Sequence, residues 1–129
     1  NSYDKLLLLS HTLSNMIVDT QHKTAYMYLT QQSLNKYNFK KGDTEGFVNY
    51  VLTIKGVKFA AIFIENEADE IIKISLRSKG NFNVNEFSRD NFNGGGHINA
   101  AGGYSKENLK DTVSKFKKLL PQYKTKLSK

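Results

Sequence analysis

The chain contains no cysteine. Disulfides and cysteine-ligated zinc are therefore excluded, and a reducing compartment is compatible with the composition. Nor does any apolar run approach the roughly 18 residues that a membrane span requires. No membrane association is expected, and the expected location is the cytoplasm. The opening residues Asn1-Ser2-Tyr3-Asp4 include no basic leader region, and Leu6 to Leu9 is too short for the apolar core of a signal peptide. An initiator methionine is missing as well, which reads as the start of a fragment of a longer protein. Histidine is scarce: His11, His22 and His97 are the whole complement. None lies in an Asp-x-Asp, Asp-His-His or His-x-x-x-His pattern, whereas two-metal phosphodiester hydrolysis needs several such ligands converging on ions a few ångströms apart. No nucleophile triad is evident either. The expectation is that this chain holds no metal, no cofactor and no catalytic residue, and does no chemistry alone.

What is present is an ordinary globular composition. The 129 residues fit a single domain spanning 1–129, with 39% hydrophobic and 24% charged residues. The net charge of +7 favours anionic partners. Much of the excess sits in Lys115, Lys117, Lys118, Lys124, Lys126 and Lys129. That run reads as a solvated helix face and a frayed tail, with a contribution to nucleic-acid affinity as the alternative.

Periodicity predicts helices and strands in alternation. Leu6, Leu9, Leu13, Met16 and Ile17 fall on helical spacing, predicting a helix from Tyr3 to Val18. Lys23 to Thr30 alternates as a strand, and a short helix is predicted at Gln31 to Lys36. Asp43 or Thr44 is positioned to cap a helical turn running toward Leu52. Val57 to Ile64 is apolar on both faces apart from Lys58, as in a central strand covered on both sides. An acidic turn then leads into Glu70 to Arg77, the second strand of a hairpin. There Ile72, Ile74 and Leu76 share one face and Lys73, Ser75 and Arg77 the other. A short helix is expected over Val84 to Phe92, followed by a glycine loop. Ser105 is the expected cap of a last helix with the stripe Leu109, Val113, Phe116 and Leu120, ending at Pro121. The fold class is α/β (α+β), a small mixed β-sheet flanked by helices.

Three features bear on function. The first is Gly94-Gly95-Gly96-His97, continued by Ile98-Asn99-Ala100-Ala101-Gly102-Gly103. Consecutive glycines lose much backbone entropy on folding, so they need a reason. One reason is an anion-binding nest of inward-turned N–H groups, with His97 donating to the same anion. The second is the polar row Lys73, Ser75 and Arg77, in which the arginine fork suits phosphate; a solvated strand face is the alternative. The third is Gly42 to Tyr50, where Asn49 and Tyr50 could reach a base or ribose, aromatic rings being good stacking platforms. As a capped turn it needs no function.

The run Gly94 to Gly103 resembles the GGGHxxAAG motif of the DHH-associated C-terminal domain of DHH-family phosphoesterases. Lys73 to Lys79 is similar to the strand that precedes that motif. Gly42 to Tyr50 with Ile54-Lys55-Gly56-Val57 resembles the NrnA-like branch, the bifunctional oligoribonucleases that also dephosphorylate 3′-phosphoadenosine 5′-phosphate. The resemblance implies a substrate-binding domain that grips short oligonucleotides or nucleotide phosphates for a hydrolase. It implies a manganese pair in a DHH domain outside this chain. Carried over by position, Gly94, Gly95, Gly96, His97 and Arg77 would contact a substrate phosphate, with Ser78 in support. Cyclic-dinucleotide phosphodiesterases and RecJ-like exonucleases share the glycine–histidine motif and remain alternatives, as does a non-catalytic phosphate- or nucleic-acid-binding module. An oligomer is compatible with all of these.

Overall fold

The computed structural model describes residues 2–129. Each of four helices begins where a short polar side chain accepts a hydrogen bond from the first turn, replacing a partner that the free helix end lacks. Ser2 caps α1 (Tyr3–Ser14), Thr30 caps α2 (Gln31–Lys36), Asn83 caps α4 (Val84–Asn91) and Asn108 caps α5 (Leu109–Leu119). The intervening α3 (Phe47–Leu52) follows Gly46, whose φ of 85° is a left-handed conformation suited to glycine. The chain ends with a 3-10 turn (Leu120–Tyr123) and α6 (Lys124–Ser128).

Six strands form one sheet: β1 (Ile17–Asp19), β2 (Thr24–Leu29), β3 (Phe59–Asn66), β4 (Ile71–Ser78), β5 (Gly95–His97) and β6 (Ala100–Ser105). Their order is β1-β2-β3-β4-β6-β5. Only β2 and β3 run parallel, and α2 and α3 form the crossover that a parallel pair requires. The remaining neighbours are antiparallel. The mixed sheet flanked by helices is the fold class expected from the sequence, and β3 is its central, doubly covered strand.

Two apolar layers cover the sheet. On one face Phe59, Phe63, Ile72, Ile74, Leu76, Phe87 and Phe116 pack under α4, α5 and the C-terminal turn. The ring centroids of Phe59 and Phe87 lie 5.0 Å apart, and those of Phe63 and Phe116 5.1 Å, in edge-on arrangements that favour aromatic pairs. On the other face Ala25, Met27, Leu29, Ala60 and Ile62 meet Leu8, Leu34, Phe47, Val48 and Val51 from α1, α2 and α3. This second layer contains no residue of β4, β5 or β6.

Several expectations need correction. The first helix stops at Ser14, where Asn15 Nδ2 turns back to donate to His11 O at 3.0 Å. Ile17 and Val18 belong instead to β1, paired with Tyr26 and Ala25. Their β-branched side chains suit a strand better than a helix end. Leu8, Leu9 and Leu13 do reach the chain's own sheet layer, but Leu6, Leu7 and Met16 are exposed. Neither Asp43 nor Thr44 caps a helix: Asp43 Oδ2 accepts from Lys40 N in the turn before α3. Ser105 ends β6, and Asn108 takes the capping place because its Oδ1 accepts from Asp111 N at 2.7 Å. The helix does end where Pro121 was expected to stop it: α5 closes at Leu119, and Pro121 lies in the first turn of the 3-10 segment, which proline's fixed φ and missing N–H favour. The tail is not frayed, since Leu127 is buried and Lys58 Nζ donates to the Lys129 carbonyl.

Tyr26 supplies a pH signature of this core. Burial, then the charge of Asp19 and then Tyr28, raise its phenol above the ordinary value of 10.0. The neutral form is the one that the fold accommodates. Its contribution to stability is complete below the ordinary tyrosine value and is lost as pH rises through the raised one. Denaturant titrations of the parent and Tyr26→Phe chains should therefore show stability falling more steeply above pH 10 in the parent. Parallel curves would remove Tyr26 from the alkaline transition.

Candidate functional site

Along β4 the side chains alternate between two environments. Ile72, Ile74, Leu76 and Ser78 are buried, whereas Lys73 is exposed and Ser75 and Arg77 are half-buried. The register extends the polar face across the next strands. Lys73 pairs with Tyr104, Ser75 with Gly102, and Arg77 with Ala100. Ala100 pairs in turn with His97, and Gly102 with Gly95. Arg77 and His97 thus share one cross-strand row, roughly 10 Å apart across two strand spacings. The outward face of this half of the sheet carries Arg77, His97, Ser75, Lys73 and Tyr104 around a nearly bare centre.

A cleft of about 920 Å³ opens beside this row, between β3–β4 and the segment joining α2 to α3. Arg77, Ser75 and Lys73 line it with Lys41, and Glu45, Glu65, Glu67 and Asp69 supply negative charge. Part of that acidic side is a clamp: Glu65 Oε1 accepts from Gln31 N at 2.8 Å, and Glu67 N donates to Gln31 Oε1 at 3.0 Å. Arg77 Nη1 donates to Leu76 O at 2.9 Å, which bends the guanidinium against its own strand. Four further N–H donors remain in an arginine so placed.

The segment Gly95–His97 is a strand, not a loop, and the inward-turned nest is not formed. Gly94 N donates to Ser88 O at 3.4 Å and Gly96 N to Asn85 Oδ1 at 2.8 Å. Packing alone explains several of the glycines. A Cβ on Gly94 would sit 1.9 Å from Gly102 O, one on Gly96 2.6 Å from Ala100 O, and one on Gly103 2.5 Å from Phe92 O. Gly95 is hemmed in by the Asn85 and Arg89 side chains. Gly102 differs, because a Cβ there would lie 3.4 Å from Ile74 O, an ordinary contact.

Ser78 lies on the opposite face of β4 from Arg77 and is buried. Its hydroxyl lies 2.6 Å from Phe82 O and accepts from Asn99 Nδ2 at 2.9 Å. Asn99 Nδ2 also lies 3.0 Å from Gly80 O. Ser78 therefore holds the turn that presents His97 and does not reach the open face. Asn49 and Tyr50 are exposed on α3, and neither lines the cleft. Of the other histidines, His11 Nε2 is 3.1 Å from Ser33 Oγ and His22 Nδ1 is 2.7 Å from Asp19 Oδ2 in the β1–β2 turn. His97, paired with Ala100 at the edge of the sheet, is the one exposed histidine. Among the described residues no three His, Asp or Glu side chains converge as metal ligands, and no helix is long and apolar enough to cross a membrane. The lysine-rich α5 packs on the far side of the sheet, against the aromatic layer. Sequence reasoning did not find Asn85, Asn99 or Tyr104. The partners of the two asparagines are remote in sequence: Asn85 accepts from Gly96 N, and Asn99 reaches Ser78 and Gly80.

These features define a mixed α/β domain with one sheet face half open and lined by polar residues. The model of the DHHA1 domain family matches residues 19–124, and the chain belongs to that family. It is 32% identical over 115 residues to a Streptococcus mutans protein named Probable bifunctional oligoribonuclease and PAP phosphatase NrnA, which covers 88% of this chain. An exopolyphosphatase-related protein of Bacteroides fragilis superposes over the whole chain with a TM-score of 0.96 and 41% identity. A pGpG-specific phosphodiesterase of Vibrio cholerae, PggH, shares the fold over 92% of the chain with a TM-score of 0.63 and 14% identity. The chain spans about a third of the first two relatives, 36% and 37% of their lengths.

Proposed function

We propose that this chain is the substrate-gripping domain of a metal-dependent phosphoesterase that degrades short oligonucleotides, with 3′-phosphoadenosine 5′-phosphate as a further substrate. The observation that carries this reading is the shared cross-strand row of Arg77 and His97, on strands that contribute nothing to the second apolar layer. The relationship to the oligoribonuclease and PAP phosphatase supports it. The residues here do not fit a manganese pair, because no set of metal ligands converges among the described residues. The metals would belong to a DHH domain outside the chain, and no bond-breaking step is assigned to this one.

The part played by this chain is then positioning. Arg77 offers its remaining fork to a phosphate, and His97 donates from the facing strand edge. The low relief of the glycine strands lets the anion approach the backbone plane. Fixing a phosphate before attack lowers the barrier through pre-paid orientation, an effect that reaches several kcal/mol in well-aligned systems.

Calorimetric titration with adenosine 5′-monophosphate tests the assignment. His97→Ala should weaken binding by about tenfold, the scale of one hydrogen bond to a charged group. Thermal unfolding should be unaffected, because His97 is exposed. Unchanged affinity would remove His97 from the site.

A further inference from the structure

The centre of the open face is bare for a reason that packing does not supply. Gly94, Gly96 and Gly103 have no room for a Cβ, since backbone atoms already occupy that space. Gly102 has room, and its φ is not in the left-handed region. The fold would accept alanine there, and a strand loses stability when it carries glycine. Gly102 nonetheless sits midway between the Arg77–Ala100 pair and the Lys73–Tyr104 pair, opposite Ser75. Arg77 and Lys73 are four residues apart, roughly 13 Å along the strand. A flat strip of that length begins at the arginine–histidine row and ends at an aromatic ring.

That ring is Tyr104, 37% exposed on the polar face. Its backbone is held on a second side by the end of α4: Tyr104 N donates to Phe92 O at 2.8 Å, and Asn93 Nδ2 donates to Tyr104 O at 3.3 Å. Asn93 reaches this position from a left-handed conformation, φ 58°, which asparagine tolerates better than most residues. An exposed aromatic side chain on a fixed backbone is a stacking platform suited to any base, because every base has a π-face.

We infer that Gly102 and Tyr104 form the nucleoside-binding part of this face, with the sugar lying over Gly102 and the base stacked on Tyr104. This rests on the phosphate reading of Arg77 and His97, and it adds the residues that would recognise the nucleoside part of the ligand and so separate a nucleotide from a bare phosphate or polyphosphate. Tyr104 then sets specificity for the base-bearing ligand, and Gly102 keeps the path between phosphate and base free of side chains.

The test compares adenosine 5′-monophosphate with ribose 5-phosphate, titrated calorimetrically into the 129-residue chain. The two ligands share a phosphate and a sugar, so their affinity ratio isolates the base. The expected ratio is between about fivefold and a hundredfold, the range for one stacked base. Tyr104→Ala should erase the ratio while leaving ribose 5-phosphate binding intact, and Tyr104→Phe should preserve it. Gly102→Ala should lower nucleotide affinity with no fall in the thermal midpoint. Equal binding of the two ligands by the parent chain overturns the stacking role but leaves the phosphate grip standing. So does a Tyr104→Ala variant that keeps the ratio. If neither ligand binds, the phosphate reading falls, and the nucleoside site falls with it.

Discussion

Gly94→Ala is expected to destabilise the domain by about 3 kcal/mol or more, beyond the usual range for overpacking. The added methyl would lie 1.9 Å from Gly102 O, 2.6 Å from Gly103 Cα and 2.7 Å from Ser88 Oγ. Two of those neighbours are backbone and cannot rotate away. The third is fixed by its own bond, since Ser88 Oγ donates to Gly102 O at 2.6 Å. Relief would require β5 to separate from β6 or α4 to shift, and either costs packed contacts against Phe87 and Phe92. A domain with the usual total of about 5–15 kcal/mol would lose a large share of its stability. Urea unfolding measures this directly, with Gly102→Ala as the matched control, whose methyl would meet only Ile74 O at 3.4 Å. Equal midpoints for the two variants would show that β5 and α4 are looser than their geometry indicates.

Arg77→Ala is expected to have the larger effect on ligand binding. A guanidinium bonded to phosphate contributes charge-assisted hydrogen bonds worth about 1.5–3 kcal/mol, so affinity for a nucleotide 5′-phosphate should fall roughly ten- to a hundredfold. The salt dependence is the more diagnostic readout. For a single strand, each phosphate neutralised contributes about 0.7 to the slope of log affinity against log salt. With an oligonucleotide of a few residues, Arg77→Ala should reduce that slope by about this amount. Arg77→Lys should restore much of the slope and less of the affinity, because lysine keeps the charge but loses the planar fork. A variant that binds weakly with the parent's slope would mean that Arg77 shapes the strand without touching phosphate. Lys73 and Lys41 would then be the next cations to test, since both line the same cleft.

The parts of this fold that were legible in the sequence are those governed by local alternation. The β3–β4 hairpin follows from apolar and polar periods within 57–64 and 70–77. The same alternation placed Lys73, Ser75 and Arg77 on one face, and Val84, Phe87 and Phe92 are buried as their spacing implied. Errors fell where local and tertiary signals compete. Ile17 and Val18 continue the apolar spacing of α1 as well as they fit a strand, and only their pairing with β2 decides between the two. The glycine run lacks a strand's side chains, so nothing local marks it as β5. Its order comes from Ser88 and Asn85, which lie on α4. The site was legible as residue types and as a resemblance. Its layout was not, because which strands an apolar layer leaves uncovered on one face depends on how remote segments pack.

Strand β4 carries one further consequence. Its inward residues Ile72, Ile74 and Leu76 belong to the aromatic layer, and its outward residues belong to no apolar layer of this chain. The two sets are interleaved one by one along eight residues, yet they answer to separate demands. Lys73, Ser75 and Arg77 can change without disturbing the packing that orients them, and Ile72, Ile74 and Leu76 can be repacked without altering the surface that they support. Such a strand lets the open surface vary while the scaffold beneath it stays fixed.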